Sequence, residues 1–209
     1  ALTLQLPSTE VLAQEMSPVD PEALQAAVRS ARKELFEAFS EELHALYKQL
    51  TLPEAAAGEA AAAEGLDAAN VARRRLRNVL LRLLAAPGDA AAAALAYKHY
   101  SSSKCMTDTY AALLVLADMQ QPQRQQAFDH FYEQAKGDPL LVDKWFRAQA
   151  GSDLPDQVER VAALQQHEAF TIKNPNRLRA LLSAFVFNRP HFHRKDGKGY
   201  QIIADAVLK

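Results

Sequence analysis

Residues 20–53 read DPEALQAAVRSARKELFEAFSEELHALYKQLTLP. Asp20 is a helix N-cap type, and Pro21 fits the first helical position, where its missing N–H costs nothing. Leu24, Val28, Ala31, Leu35, Phe39, Leu43, Leu46 and Leu50 then recur at three- and four-residue spacing. That period draws one continuous apolar stripe along a long helix, which Pro53 closes.

The same punctuation recurs downstream. A second helix is expected over about 67–86, with Val71, Leu76, Val79, Leu80, Leu83 and Leu84 inward, ended by Pro87-Gly88. Asp89 caps a third helix carrying Leu95, Tyr97 and Tyr100, and Thr107 is expected to cap a fourth reaching about Met119. Pro122 opens a fifth through Lys136. Gly137-Asp138-Pro139 is a stop followed by a start, and its helix holds Leu141, Val142, Trp145 and Phe146. Asp153 to Pro155 opens a short helix with Val158, Val161 and Leu164. Asn174-Pro175 opens another, with Leu178, Leu181, Leu182 and Phe185 on its inner face, and a last one spans about 199–209. The one strand-like run, Leu2 to Leu6, reads equally as an extended lead-in.

Many modest helices on short Pro/Gly/Asp connections describe an all-α fold of stacked antiparallel helical hairpins. A HEAT- or armadillo-like α-solenoid is expected over a four-helix bundle. No clean sequence repeat supports this; element order and length do. The chain reads as one all-α segment over residues 1–209, with 1–19 as lead-in and the Ala-rich stretch 53–66 as a loop insertion. A solenoid needs a polar terminal cap, and none follows the last helix, so the array is expected to be truncated at its C-terminal end.

Composition narrows the function. Of 209 residues 49% are hydrophobic, enough for a folded core. The net charge of −1 gives no overall field towards nucleic acid or an acidic membrane. No apolar run reaches spanning length. A single cysteine, Cys105, excludes an internal disulfide and suits the cytoplasm or another reducing compartment. The cluster Arg73, Arg74, Arg75 and Arg77 is interleaved with Leu76 and Val79 and lacks stacking aromatics, so it reads as the solvated face of an amphipathic helix.

Metal and catalytic motifs fall short. His167-Glu168 begins H-E-x-x-H, but Thr171 stands where the second histidine would be, and one imidazole cannot hold zinc in that geometry. His191 and His193 would point to one side of an extended loop, without an evident third ligand. Gly197-Lys198-Gly199 has no strand before it, so it is a poor phosphate loop. Trp145 and Phe146 read as core anchors, and Tyr97, Tyr100 and Tyr110 as ordinary buried tyrosines. No catalytic residue and no metal ligand are assigned. Arg177 and Arg179 stand beside the positive end of their helix, a placement costing about 0.3–1 kcal/mol each. It makes sense if they meet a carboxylate, either of a bound peptide or of an Asp or Glu in the same domain.

The run Asn174-Pro175-Asn176-Arg177-Leu178-Arg179 with Leu181, Leu182, Ala184 and Phe185 resembles the C-terminal helical domain of bacterial-type aminopeptidase N, zinc alanyl aminopeptidases of the gluzincin family. Blocks in the same order agree: Leu6-Pro7-Ser8; Arg75-Leu76-Arg77-Asn78; Met106-Thr107-Asp108; Val142-Asp143-Lys144-Trp145-Phe146; and Asp196-Gly197 with Gly199-Tyr200. The resemblance implies a cavity wall over an active site whose motifs are absent here: the H-E-x-x-H helix, the Gly-Ala-Met-Glu-Asn loop and the catalytic tyrosine. It implies no cofactor in this segment, zinc in the parent, and the parent's own catalytic domain and peptide substrates as partners. Arg179, with Arg177 beside it, is implied to face the carboxyl-terminal side of a bound peptide. The alternative is a free-standing helical-repeat scaffold that binds a protein or peptide on its concave face.

Overall fold

A computed structural model describes residues 4–51 and 68–208. Twelve helices are described: α1 (Thr9–Ala13), α2 (Pro21–Leu50), α3 (Ala68–Leu84), α4 (Ala90–Ser102), α5 (Met106–Ala117), α6 (Pro122–Ala135), α7 (Pro139–Ala150), α8 (Gln157–Leu164), α9 (Pro175–Leu178), α10 (Ala184–Phe187), α11 (Arg189–Phe192) and α12 (Lys198–Val207). One π-helical turn, Arg179–Ser183, joins α9 to α10. Among the described residues there is no strand; Leu4 is in a 3-10 turn and Gln5 and Leu6 are irregular. Pro53 and the Ala-rich stretch lie outside the described residues.

Side-chain caps mark where four of the helices begin. Asp20 Oδ1 accepts the Ala23 N–H at 3.0 Å, Asp89 Oδ1 that of Ala92 at 2.8 Å, and Asp138 Oδ1 that of Leu140 at 2.9 Å. Asn174 Oδ1 accepts the N–H groups of Asn176 and Arg177 at 3.0 and 3.3 Å. Each such cap is worth about 1 kcal/mol. Thr107 does not cap α5. The helix starts one residue earlier at Met106, and Cys105 holds the cap position without a side-chain bond. The stripe on α2 is also not continuous. Phe39 leaves helical geometry (φ −131°, ψ 25°) and is half exposed, so the helix kinks there. His44 Nδ1 lies 2.7 Å from the Ser40 carbonyl, a side chain set against the helical ladder just beyond the break.

Neighbouring helices pack as a stack. α2 lies on α3, α3 on α5, α4 on both α5 and α6, and α6 on α7. The π turn then lies on α7, and α8 contacts α7 and α12. The main core is built on Phe128, Phe146, Phe185, Leu113, Leu116 and Leu181, all fully buried, and runs through the middle of the stack. A second cluster, Leu43 with Leu80, Leu83 and Leu84, seals α2 to α3. The stack does not open into a simple row, because α11 returns to touch α2. Gln25 Nε2 and Arg29 Nη1 of α2 both donate to Asp153 Oδ2 at 3.0 Å. Across this closure lies a trough.

Buried polar groups set an acid limit on the fold. His99 is 4% exposed, and its Nδ1 lies 2.7 Å from the Tyr47 hydroxyl. Burial, then the charge of Arg77, pushes His99 down to about 4. Its folded value is thus below its unfolded value, so neutral His99 favours the fold fully above about pH 6.5. That contribution, about 3 kcal/mol, is lost as pH falls towards 4. Thermal unfolding followed from pH 7 to pH 4.5 should show the loss, and His99→Gln should remove that part of the slope. An unchanged slope in the variant would refute the assignment.

Candidate functional site

The trough is lined by α2, α3, α5, α7 and the turn between α7 and α8. It comprises three adjoining hollows of about 710, 660 and 790 Å³, which share Gln25 and Leu114. Arginines dominate its charged lining. α2 contributes Arg29 and Arg32, α3 contributes Arg74, Arg75 and Arg82, α7 contributes Arg147, and Arg179 and Arg189 stand at the third hollow. The spacing explains the rows: Arg29 and Arg32 lie three apart, and Arg75 and Arg82 seven apart, so each pair shares a helix face.

Three carboxylates sit among these cations: Glu10 at the second hollow, and Asp118 and Asp153 at the first and third. Asp153 is pinned by α2, and His191 Nε2 approaches its Oδ1 at 3.5 Å. Burial alone would raise Asp153, but hydrogen bonds from His191 and Gln25 and the charge of Arg29 outweigh it and hold the carboxyl low. Asp118 accepts the Asp153 N–H at 2.8 Å. Asp118 is exposed by surface area, but it stands on the concave wall of the trough, where surrounding protein atoms crowd the carboxyl. That enclosure pushes Asp118 up to about 6, since the hydrogen bond and the more distant Arg82 and Arg32 only partly offset it.

The two arginines of the Asn-Pro-Asn-Arg-Leu-Arg run part company. Arg177 is buried. Its Nε donates to Asp143 Oδ1 at 2.5 Å and its Nη1 to the Ala169 carbonyl at 2.5 Å, while its guanidinium lies 5.3 Å from the Phe146 ring centre. It is occupied within the fold, the intradomain ion pair that the sequence left open. Arg179 is exposed, lines the third hollow with Arg147 and Tyr110, and has no hydrogen bond or ion pair among the described residues. The π turn has a visible consequence here. Arg179, Ser183 and Phe187 line the trough while Leu181, Leu182 and Phe185 remain in the core.

Other sequence candidates resolve as structure. The His167 ring packs against Tyr132 and Trp145, each 4.9 Å away, and its Nδ1 accepts the Ala169 N–H at 3.1 Å. Glu168 accepts from the Tyr132 hydroxyl at 3.1 Å. His191 and His193 do not share a side, because α11 turns there. His191 faces Asp153, and His193 Nδ1 is 2.8 Å from the Tyr200 hydroxyl. Among the described residues no group of three or more His, Cys, Asp or Glu is placed to hold a metal ion. The Arg73-to-Arg77 cluster is not simply a solvated face. Arg77 forms an ion pair with buried Asp108, whose Oδ1 also accepts from Asn78 Nδ2 at 2.9 Å, and Arg73 Nη1 donates to the Leu50 carbonyl at 2.9 Å. Among the described residues no helix is long and apolar enough to cross a membrane.

Sequence reading did not single out Arg29, Arg32, Arg147, Asp118 or Asp153 as site residues. Polar residues on an amphipathic helix give no signal that distinguishes a trough from bulk solvent.

Stacked antiparallel helices around an arginine-lined trough define an α-helical repeat protein of the HEAT/armadillo class. The chain belongs to the family described as "Domain of unknown function (DUF3458_C) ARM repeats", whose model matches residues 1–209. It is 37% identical over 210 residues to aminopeptidase N of Caulobacter vibrioides, a match over 100% of this chain and 23% of that protein. It is 32% identical over 205 residues to aminopeptidase N of Escherichia coli, over 98% of this chain and 22% of that protein. The crystal structure of Legionella pneumophila aminopeptidase A in complex with aspartic acid superposes with a TM-score of 0.83 at 28% identity, over 97% of this chain and 24% of that one. The resemblance to the C-terminal domain of aminopeptidase N is thereby shown. The chain spans about a quarter of the length of these relatives.

Proposed function

We propose that this chain is the C-terminal α-solenoid portion of a zinc aminopeptidase that removes amino-terminal residues from peptides. The chain walls the cavity over the active site and carries no catalysis of its own. The zinc and the catalytic groups belong to the parent's other portion, which is also the partner of this wall. The parent works in the cytoplasm or another reducing compartment.

The observation that carries this reading is Arg179. Its guanidinium stands exposed in the trough without a partner oxygen among the described residues, while Arg177, two residues away, is engaged with Asp143. A planar guanidinium held at a cavity wall suits a carboxylate, which it grips through two parallel N–H donors. The function of Arg179 is to receive the carboxyl-terminal end of a bound peptide, and the walled trough limits entry to peptides and small substrates.

The test uses the intact parent and short peptides with either a free or an amidated carboxyl terminus. Arg179→Ala should lower the preference for the free carboxylate, measured as a ratio of kcat/KM, about tenfold, as expected for a partly exposed charge-assisted bond. An unchanged ratio would remove Arg179 from this role.

A further inference from the structure

The trough holds a second cationic centre away from Arg179. Arg32 of α2 and Arg82 of α3 both line the first and the second hollow, so they stand at the wall the two share. Arg32 is half-buried and Arg82 exposed on the trough side, and neither has a hydrogen bond or ion pair among the described residues, whereas Arg29, Arg77 and Arg177 are each paired with an aspartate. Burial followed by the positive charge of Arg82 lowers the proton affinity of Arg32. Two guanidinium groups that repel one another, in a concave surface, form an unsatisfied arrangement that an oxyanion would relieve. Asp118 is the one carboxylate acting on both, and it is itself engaged by the Asp153 N–H.

We propose that Arg32 and Arg82 form an anion subsite that takes the side-chain carboxylate of an acidic residue in a peptide lying along the trough. The hollows are continuous: Gln25, Leu114, Asp118, Gly151 and Asp153 line both the Arg32–Arg82 hollow and the one that holds Arg179. A peptide that lies along the trough with its end at Arg179 can set an earlier residue at the Arg32–Arg82 wall. The substrate class is peptides with Asp or Glu downstream of the amino-terminal residue. This rests on the peptide-cavity reading above and names a preference within it.

The experiment measures binding, so that it does not depend on turnover. The intact protein is titrated with six-residue peptides blocked at the amino terminus by a neutral fluorophore. A set with Glu at one interior position at a time is compared with the matching Gln set by anisotropy. At one interior position the Glu peptide should bind about tenfold tighter than its Gln twin, less so at high salt. Arg32→Gln with Arg82→Gln should bring that ratio close to one, Arg82→Lys should keep part of it, and the surface control Lys195→Gln should keep all of it. Inorganic phosphate should compete away the Glu advantage, whereas phosphate binding with no Glu advantage would mark a free-anion site and overturn the peptide assignment. A Glu advantage that survives the double variant, or no advantage at any position, also overturns it. If the parent hydrolyses no peptide while the Glu advantage follows Arg32 and Arg82, the aminopeptidase reading fails and the subsite stands.

Discussion

Arg177→Ala should destabilise the protein by about 4 kcal/mol, read by urea denaturation, whereas Arg179→Ala should change stability by less than about 0.5 kcal/mol. The side chains of Arg177 and Asp143 are 9% and 15% exposed, and the pair closes at 2.5 Å. Arg177 also binds the Ala169 carbonyl and lies against Phe146, a ring with no exposed surface. Removing it strands the Asp143 carboxylate in a poorly solvated place and opens a gap against the aromatic core. Breaking a buried pair by removing one partner typically costs 3–5 kcal/mol, far more than the pair is worth against an apolar replacement. Asp143→Ala should cost a similar amount, and the double variant clearly less than the sum, because both changes abolish one interaction. A loss below about 1 kcal/mol for Arg177→Ala would show that water reaches Asp143. The contrast bears on the role proposed for Arg179. Arg177 holds α9 to α7 and so fixes the backbone from which Arg179 projects.

The helices were legible because their signals are local. An Asp or Asn followed by Pro, Glu or Ala, then apolar residues at three and four, needs no tertiary knowledge, and Asp20, Asp89 and Asn174 all cap as expected. Thr107 misled because it sits among several polar residues, any of which suits a helix start, and the helix begins one residue earlier at Met106. The kink at Phe39 left no trace in the apolar period, which continues through it. The π turn at Arg179–Ser183 was also silent, since RALLS reads as ordinary helix. Of the residues that line the trough, the sequence singled out Arg179 as a binding candidate, and only through resemblance. Arg32 and Arg82 are 50 positions apart in the chain, and only the stacking of α2 on α3 makes them neighbours. Charge patterning gives the type of residue on a face but not whether a second helix stands opposite.

Gly199→Ala should cost about 4 kcal/mol, the reverse of what its position in a helix suggests. Replacing Gly by Ala inside a helix normally gains about 1 kcal/mol from backbone entropy. Gly199 lies in the first turn of α12, buried against the end of α11. A methyl group there would meet the His191 carbonyl oxygen and the Phe192 carbonyl carbon, each at 2.8 Å, and would press harder still on the Phe192 carbonyl oxygen. These are backbone atoms, so no rotamer change relieves the contact, and α12 must move away from α11. That motion would pull Tyr200 off Phe192, whose rings lie 5.1 Å apart, break the 2.8 Å bond between His193 and the Tyr200 hydroxyl, and uncover Ile202. The turn before it is equally committed: Gly197 has φ +73°, a left-handed conformation that lets the chain reverse into α12. The control is Gly151→Ala, whose added methyl would meet only the Arg147 carbonyl at an ordinary 3.5 Å and should change stability by less than about 1 kcal/mol. Thermal unfolding of the two variants side by side decides the matter. If Gly199→Ala melts with the parent, α12 does not pack on α11 as described, and the C-terminal end of the trough loses its support.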